Sequence, residues 1–128
     1  MFSHVMLGSH DVAAARDFYE AVLRPLGLRC IVGNRDYAAF ATAEDDSPRF
    51  WICRPYDGKP AAVGNGTHVA FLAPSRQAGD SFYSIALEAG GRDEGPPGPR
   101  PQYSETYYGA YVRDLDGHKI QAVCHAAE

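Results

Sequence analysis

The chain is poor in cysteine. Cys30, Cys53 and Cys124 are its three, an odd count with no Cys-x-x-Cys spacing. That excludes a disulfide framework and implies reduced thiols in a cytoplasmic protein. Cys53 and Cys124 fall in apolar runs, so they are expected to be buried and inert. A basic run is also missing, and the net charge is −4. A nucleic-acid partner would need clustered Lys and Arg, so that class is excluded. No stretch approaches the ~20 apolar residues of a membrane helix. The opening MFSHVMLGSHD has neither a basic start nor a long apolar region, so it does not read as a signal peptide. What is present is ordinary for one compact domain: 128 residues, 45% hydrophobic and 22% charged.

The informative feature is an internal repeat. A shift of 64 residues lays Ser3-His4-Val5 on Thr67-His68-Val69. It also lays Asp11 on Ser75, Phe18-Tyr19 on Phe82-Tyr83, Leu23 on Leu87 and Gly27 on Gly91 without a gap. One supersecondary unit is used twice, and a histidine stands at the same point of each copy.

Each copy opens with an alternating segment, Phe2–Gly8 and Thr67–Ala73. Val5 and Leu7, or Val69 and Phe71, face one way there, and His4 or His68 the other. A helix follows, with Asp11 and Ser75 as N-caps. Val12, Ala15, Tyr19, Val22, Leu23 and Leu26 form its apolar stripe in the first copy. Gly27 and Gly91 are the expected helix terminators. Further strands are expected at Leu28–Val32, Tyr37–Thr42 and Phe50–Arg54, then weakly near Arg92, at Tyr107–Arg113 and at Lys119–His125. Asp116-Gly117 reads as a tight turn, and Asp114–Gly117 lacks the rest of a calcium loop. Gly95–Pro101 is expected to be a loop, because proline removes ladder donors. The pattern is βαβββ twice: module 1 over about 1–56, a linker over 57–66, and module 2 over about 67–128.

Two such modules, with SHVMLGSHDVAAARDFYEAVLRPLGL, GTHVAFLAPS and the ending YVRDLDGHKIQAV, resemble the vicinal oxygen chelate superfamily. That superfamily holds glyoxalases, extradiol dioxygenases, fosfomycin-modifying enzymes and bleomycin-resistance proteins. The ending is similar to the family's Asp-Pro-Asp-Gly-x-x-Ile-Glu, with Leu115 in place of proline and Gln121 in place of glutamate. The resemblance implies an α+β, glyoxalase-like fold: a cupped mixed sheet with flanking helices, and a small-molecule site within the cup. It implies His4, His68 and Gln121 as ligands of a divalent metal (Fe, Mn, Ni, Co or Zn). The fourth ligand slot falls at Trp51 or Ile52, which cannot bind metal. It also implies a homodimer, with modules paired within one chain or exchanged between two.

The departures matter chemically. Glutamine brings no charge to a metal and cannot act as a general base. An isomerisation that shuttles a proton loses its base there, and the two-histidine, one-carboxylate iron site is not matched. Three readings stay open: a metal-dependent lyase, dioxygenase or thiol transferase; a metal-free protein that sequesters a small molecule; or a fold retained as an assembly module, which would have no enclosed pocket. Trp51, Tyr103, Tyr108, Tyr111 and His125 are the expected ligand-binding residues, with Glu105 as a reserve candidate for a base. His10 and His118 are expected at the surface.

Overall fold

A computed structural model describes residues 1–127; the expected end of module 2 at 128 lies outside them. The first half runs β1 (Val5–Gly8), α1 (Val12–Leu23), β2 (Leu28–Gly33), β3 (Tyr37–Thr42) and β4 (Phe50–Cys53). The second runs β5 (His68–Leu72), α2 (Arg76–Glu88), β6 (Arg92–Pro99), β7 (Tyr108–Arg113) and β8 (Lys119–Cys124). Each half makes a four-stranded mixed sheet, ordered β1-β4-β3-β2 and β5-β8-β7-β6. The first and last strands of each half pair in parallel, and the other pairs are antiparallel. This is the expected α+β, glyoxalase-like architecture.

Local chemistry sets the helix ends. The carboxylate of Asp11 accepts from the Ala14 amide at 3.1 Å, and Ser75 Oγ accepts from Ala78 at 3.1 Å. Both satisfy an amide that the helix leaves unpaired. Pro25 tightens the end of α1 into a 3-10 turn, Arg24–Leu26, closed by Gly27 at φ 88°. In the second half the expected terminator is displaced by one residue. Gly90 takes the left-handed conformation at φ 103°. Gly91 is required for space, since a Cβ there would lie 2.9 Å from the carbonyl oxygens of Ala86 and Arg113.

The proline-rich run also differs from expectation. Gly95–Pro99 continues β6 and is not loop. Among the described residues β6 is an edge strand paired only with β7, so one flank has no ladder there for proline to break. Irregular register between Asp93 and Gly95, and between Gly95 and Gly98, absorbs the rest.

The expected α1 stripe is buried throughout. Tyr19 sits at its centre, with Phe50 4.9 Å and Phe18 5.2 Å away by ring centroid. Leu7, Phe40, Phe50, Ile52, Phe71, Val112, Ile120 and Ala122 join one continuous core, and Phe50 meets Phe71 edge-on at 5.0 Å. The β7–β8 turn is clasped to the first half. Tyr19 donates to Asp114 Oδ2 at 2.5 Å, the His10 amide donates to Asp116 Oδ1 at 2.8 Å, and His118 Nε2 lies 2.7 Å from the Gly8 carbonyl. The halves are therefore joined through their helix-facing sides and this turn. The opposite, cupped faces remain open, with Met6 50% and Leu72 69% exposed.

Candidate functional site

His4 lies one residue before β1, exposed, with its ring 6.3 Å from Trp51. Strand register decides which residue corresponds to Gln121. Ala70 pairs with Gln121, and its repeat equivalent Met6 pairs with Trp51. The counterpart is thus Trp51 on the cup face, whereas Ile52 is core at 1% exposure. His68 opens β5 opposite Lys119, exposed, 6.3 Å from Tyr111. His68 and Gln121 share the cup face of neighbouring strands. His4 belongs to the other sheet, and each histidine finds its aromatic neighbour within its own half. Among the described residues, no three His, Cys, Asp or Glu side chains gather as a metal-holding group.

Gln121 is completely buried. Its Nε2 donates to the Tyr107 hydroxyl at 2.6 Å, while its Oε1 is buried with no partner among the described residues. A buried carbonyl oxygen without a donor is costly, and this one is uncommitted to any protein donor among the described residues. Tyrosines cover it. Tyr107 packs on Tyr103 at 5.0 Å and on His125 at 5.4 Å. Tyr111 is pushed up to about 12 by burial and by its hydrogen bond to Tyr107, so it stays a neutral phenol. Gly109 makes room for this layer, since a Cβ there would stand 3.0 Å from Gln121 Nε2.

Beside this layer is a cleft of about 280 Å³ lined by His68, Glu94, Arg100, Gln102, Tyr111 and Lys119, among others. Glu94 is paired with Arg113 through two contacts of 3.1 and 3.4 Å, which holds its carboxyl below the usual range. It is therefore held ionised and is a poor general base. A larger cleft, about 690 Å³, lies between the halves, but Val5, Leu28, Phe50, Val69, Phe71 and Leu72 make it chiefly apolar. Of these two, the smaller cleft carries the charged and hydrogen-bonding groups.

The remaining expected residues divide. Trp51, Tyr103 and Tyr111 lie on the cups, and His125 is exposed against Tyr107. Tyr108 does not line the cup. It faces α2, donates to Asp80 at 2.6 Å and carries Arg76 4.9 Å above its ring. Strand alternation puts Tyr107 on the cup in its place. Glu105 stands exposed in the β6–β7 connection. His10 is exposed as expected, but His118 is buried by its bond to Gly8. Asp114–Gly117 is the expected turn. Cys124 is buried, whereas Cys30 and Cys53 are half-buried with thiols pushed up chiefly by desolvation, so none is an activated nucleophile. Sequence reading missed the Tyr107–Gln121 bond and the place of Arg100 in the cleft. Arg100 follows a proline run, and nothing local signals that the run is a strand aiming the next side chain inward.

Known proteins give a consistent answer. The family model of the Glyoxalase/Bleomycin resistance protein/Dioxygenase superfamily matches residues 1–122. A search of curated proteins returned no match. Among solved structures, a glyoxalase/bleomycin resistance protein from Albidiferax ferrireducens T118 is 38% identical, with TM-score 0.86 over 97% of this chain and 98% of that one. A lactoylglutathione lyase from Agrobacterium tumefaciens shares the fold at 19% identity, with TM-score 0.67 over 97% and 92%. TioX from Micromonospora sp. ML1 does so at 21%, with TM-score 0.64 over 100% and 98%. This chain belongs to the glyoxalase/bleomycin resistance protein/dioxygenase superfamily.

Proposed function

We propose that this protein binds a small organic substrate in the cup of its second half, supported by a divalent metal, and transforms it there. The observation that carries this reading is Gln121 Oε1, fully buried and without a donor, on the same face as His68. Its amide is held by Tyr107, which directs the oxygen without using it. An amide oxygen and imidazoles suit a divalent first-row metal. His68 and Gln121 would hold it from one half, and His4 would complete the set from the cup of a second chain, in a homodimer. When bound, the metal supplies Lewis-acid polarisation of a substrate oxygen. The chain's own residues bind and orient: Tyr111 offers a neutral hydroxyl, and Tyr103 and Tyr107 give an apolar wall. The three unpaired cysteines are in keeping with a cytoplasmic location.

Elemental analysis of untagged protein, purified without chelators, tests the reading. The expected result is a stoichiometric transition metal. Its absence, with no binding on reconstitution, overturns the reading. Gln121→Glu adds a charged donor at the same place and should tighten divalent-metal affinity by about tenfold or more. Unchanged affinity would put residue 121 outside the coordination sphere.

A metal-free binder is the second reading, favoured by the complete burial of Gln121 beneath its tyrosines. It expects ligand-induced thermal shifts that EDTA leaves untouched.

A further inference from the structure

The cleft beside the tyrosine layer holds more positive charge than its carboxylates balance. Lys119 Nζ lies 5.2 Å and Arg100 Cζ 5.5 Å from the centroid of the Tyr111 ring. Among the described residues no carboxylate comes within ion-pair distance of either. Arg100 is anchored by uncharged groups, donating to the carbonyls of Pro96 at 2.7 Å, Gly98 at 2.9 Å and Pro99 at 3.3 Å. That bonding fixes the guanidinium in the cleft wall and leaves its charge uncompensated. Glu94 is the one carboxylate lining the cleft among the described residues; it is ion-paired with Arg113 and also feels the charges of Lys119 and Arg92, so a single carboxylate stands against several cations. His68, Gln102, Tyr103 and Tyr111 complete the lining with groups able to donate hydrogen bonds. This positive cleft stands in a chain of net charge −4, so the local field runs against the global one.

We infer that the cleft is an oxyanion subsite, taking the carboxylate, phosphonate or phosphate of a small aromatic ligand between Lys119 and Arg100, with the ligand's body against Tyr111 and Tyr103. Preorganised cations beside an aromatic wall offer both charge and stacking surface. A volume of about 280 Å³ accommodates a single-ring acid. The inference rests on the proposed function only in placing the ligand in this cup; it does not need the metal.

The test is therefore run in EDTA at low salt, with benzoate, phenylphosphonate and the neutral benzyl alcohol titrated against the full chain by NMR. Both anions should bind about tenfold or more tightly than benzyl alcohol, shifting the amide signals of β7 and β8. The dianionic phosphonate outranking benzoate assigns a phosphoryl ligand; the reverse assigns a carboxylate. Lys119→Gln should weaken anion binding by about fivefold. Glu94→Gln should tighten it by about twofold, because a repelling charge is removed. Benzyl alcohol should be unaffected by both. A folding defect cannot produce opposite changes in the two variants. Anions binding no better than benzyl alcohol, or indifferent to Lys119→Gln, overturn the subsite even if metal is found. Absence of metal alone overturns the metal reading and leaves the subsite standing.

Discussion

Tyr19 is the residue on which the two halves agree. Its hydroxyl crosses from α1 to Asp114 at the end of β7, inside the core. Asp114 also accepts the amides of Asp116 and His118 at 2.9 Å, so one carboxylate organises the turn and receives the first half. Burial, and next the neighbouring Asp114 charge, raise the Tyr19 phenol well above its ordinary value. Its native value then exceeds the unfolded one of about 10. The native state holds this proton more tightly, so the associated stability is intact below about pH 10 and falls as pH rises beyond it. Tyr19→Phe should cost about 2 kcal/mol at pH 7 by leaving an Asp114 oxygen unpaired. It should also flatten the decline of stability above pH 10. Urea titrations at pH 7 and pH 10.5 measure both, and a variant as alkali-sensitive as the parent would refute the assignment. Tyr19 was legible in the sequence as part of an apolar stripe. Its hydroxyl partner was not, because Asp114 lies 95 positions away and only the fold brings it near. His118 looks like a surface residue in the sequence for the same reason: its partner, the Gly8 carbonyl, is 110 positions away.

Elements were legible where their signals are local. Asp11 and Ser75 announce their helices because a cap acts on an amide three residues on. Asp11→Ala and Ser75→Ala should each cost about 1 kcal/mol in denaturant melts. The two should separate with salt. A carboxylate at a helix N-terminus also interacts with the helix dipole, so the Asp11→Ala penalty should shrink in 1 M NaCl while that of Ser75→Ala holds. Equal salt responses would count against a dipole contribution at Asp11. β6 was illegible by contrast. Proline excludes a central strand but not an edge strand, and edge position belongs to the sheet order. The same limit applies to residue 51. The family resemblance leaves the Gln121 counterpart between Trp51 and Ile52, and the pairing of Met6 with Trp51, matching that of Ala70 with Gln121, selects Trp51.

At the scale of the molecule, the repeat revealed two equivalent units and was silent on how they face one another. The structure joins them by their helix-facing sides, so the two cups in one chain open separately and His4 and His68 lie on different sheets. A shared site then requires the first-half cup of one chain against the second-half cup of another, an arrangement that a two-fold dimer generates twice. This makes a complementation experiment decisive. His4→Ala and His68→Ala chains should each lose metal binding alone. When they are mixed, unfolded and refolded together, about half the dimers are heterodimers. Each heterodimer holds one site with both histidines intact and one with neither. Binding should return to about a quarter of the wild-type stoichiometry. If both histidines of a site came from one chain, neither variant would carry an intact pair, and the mixture would bind no more than its parts.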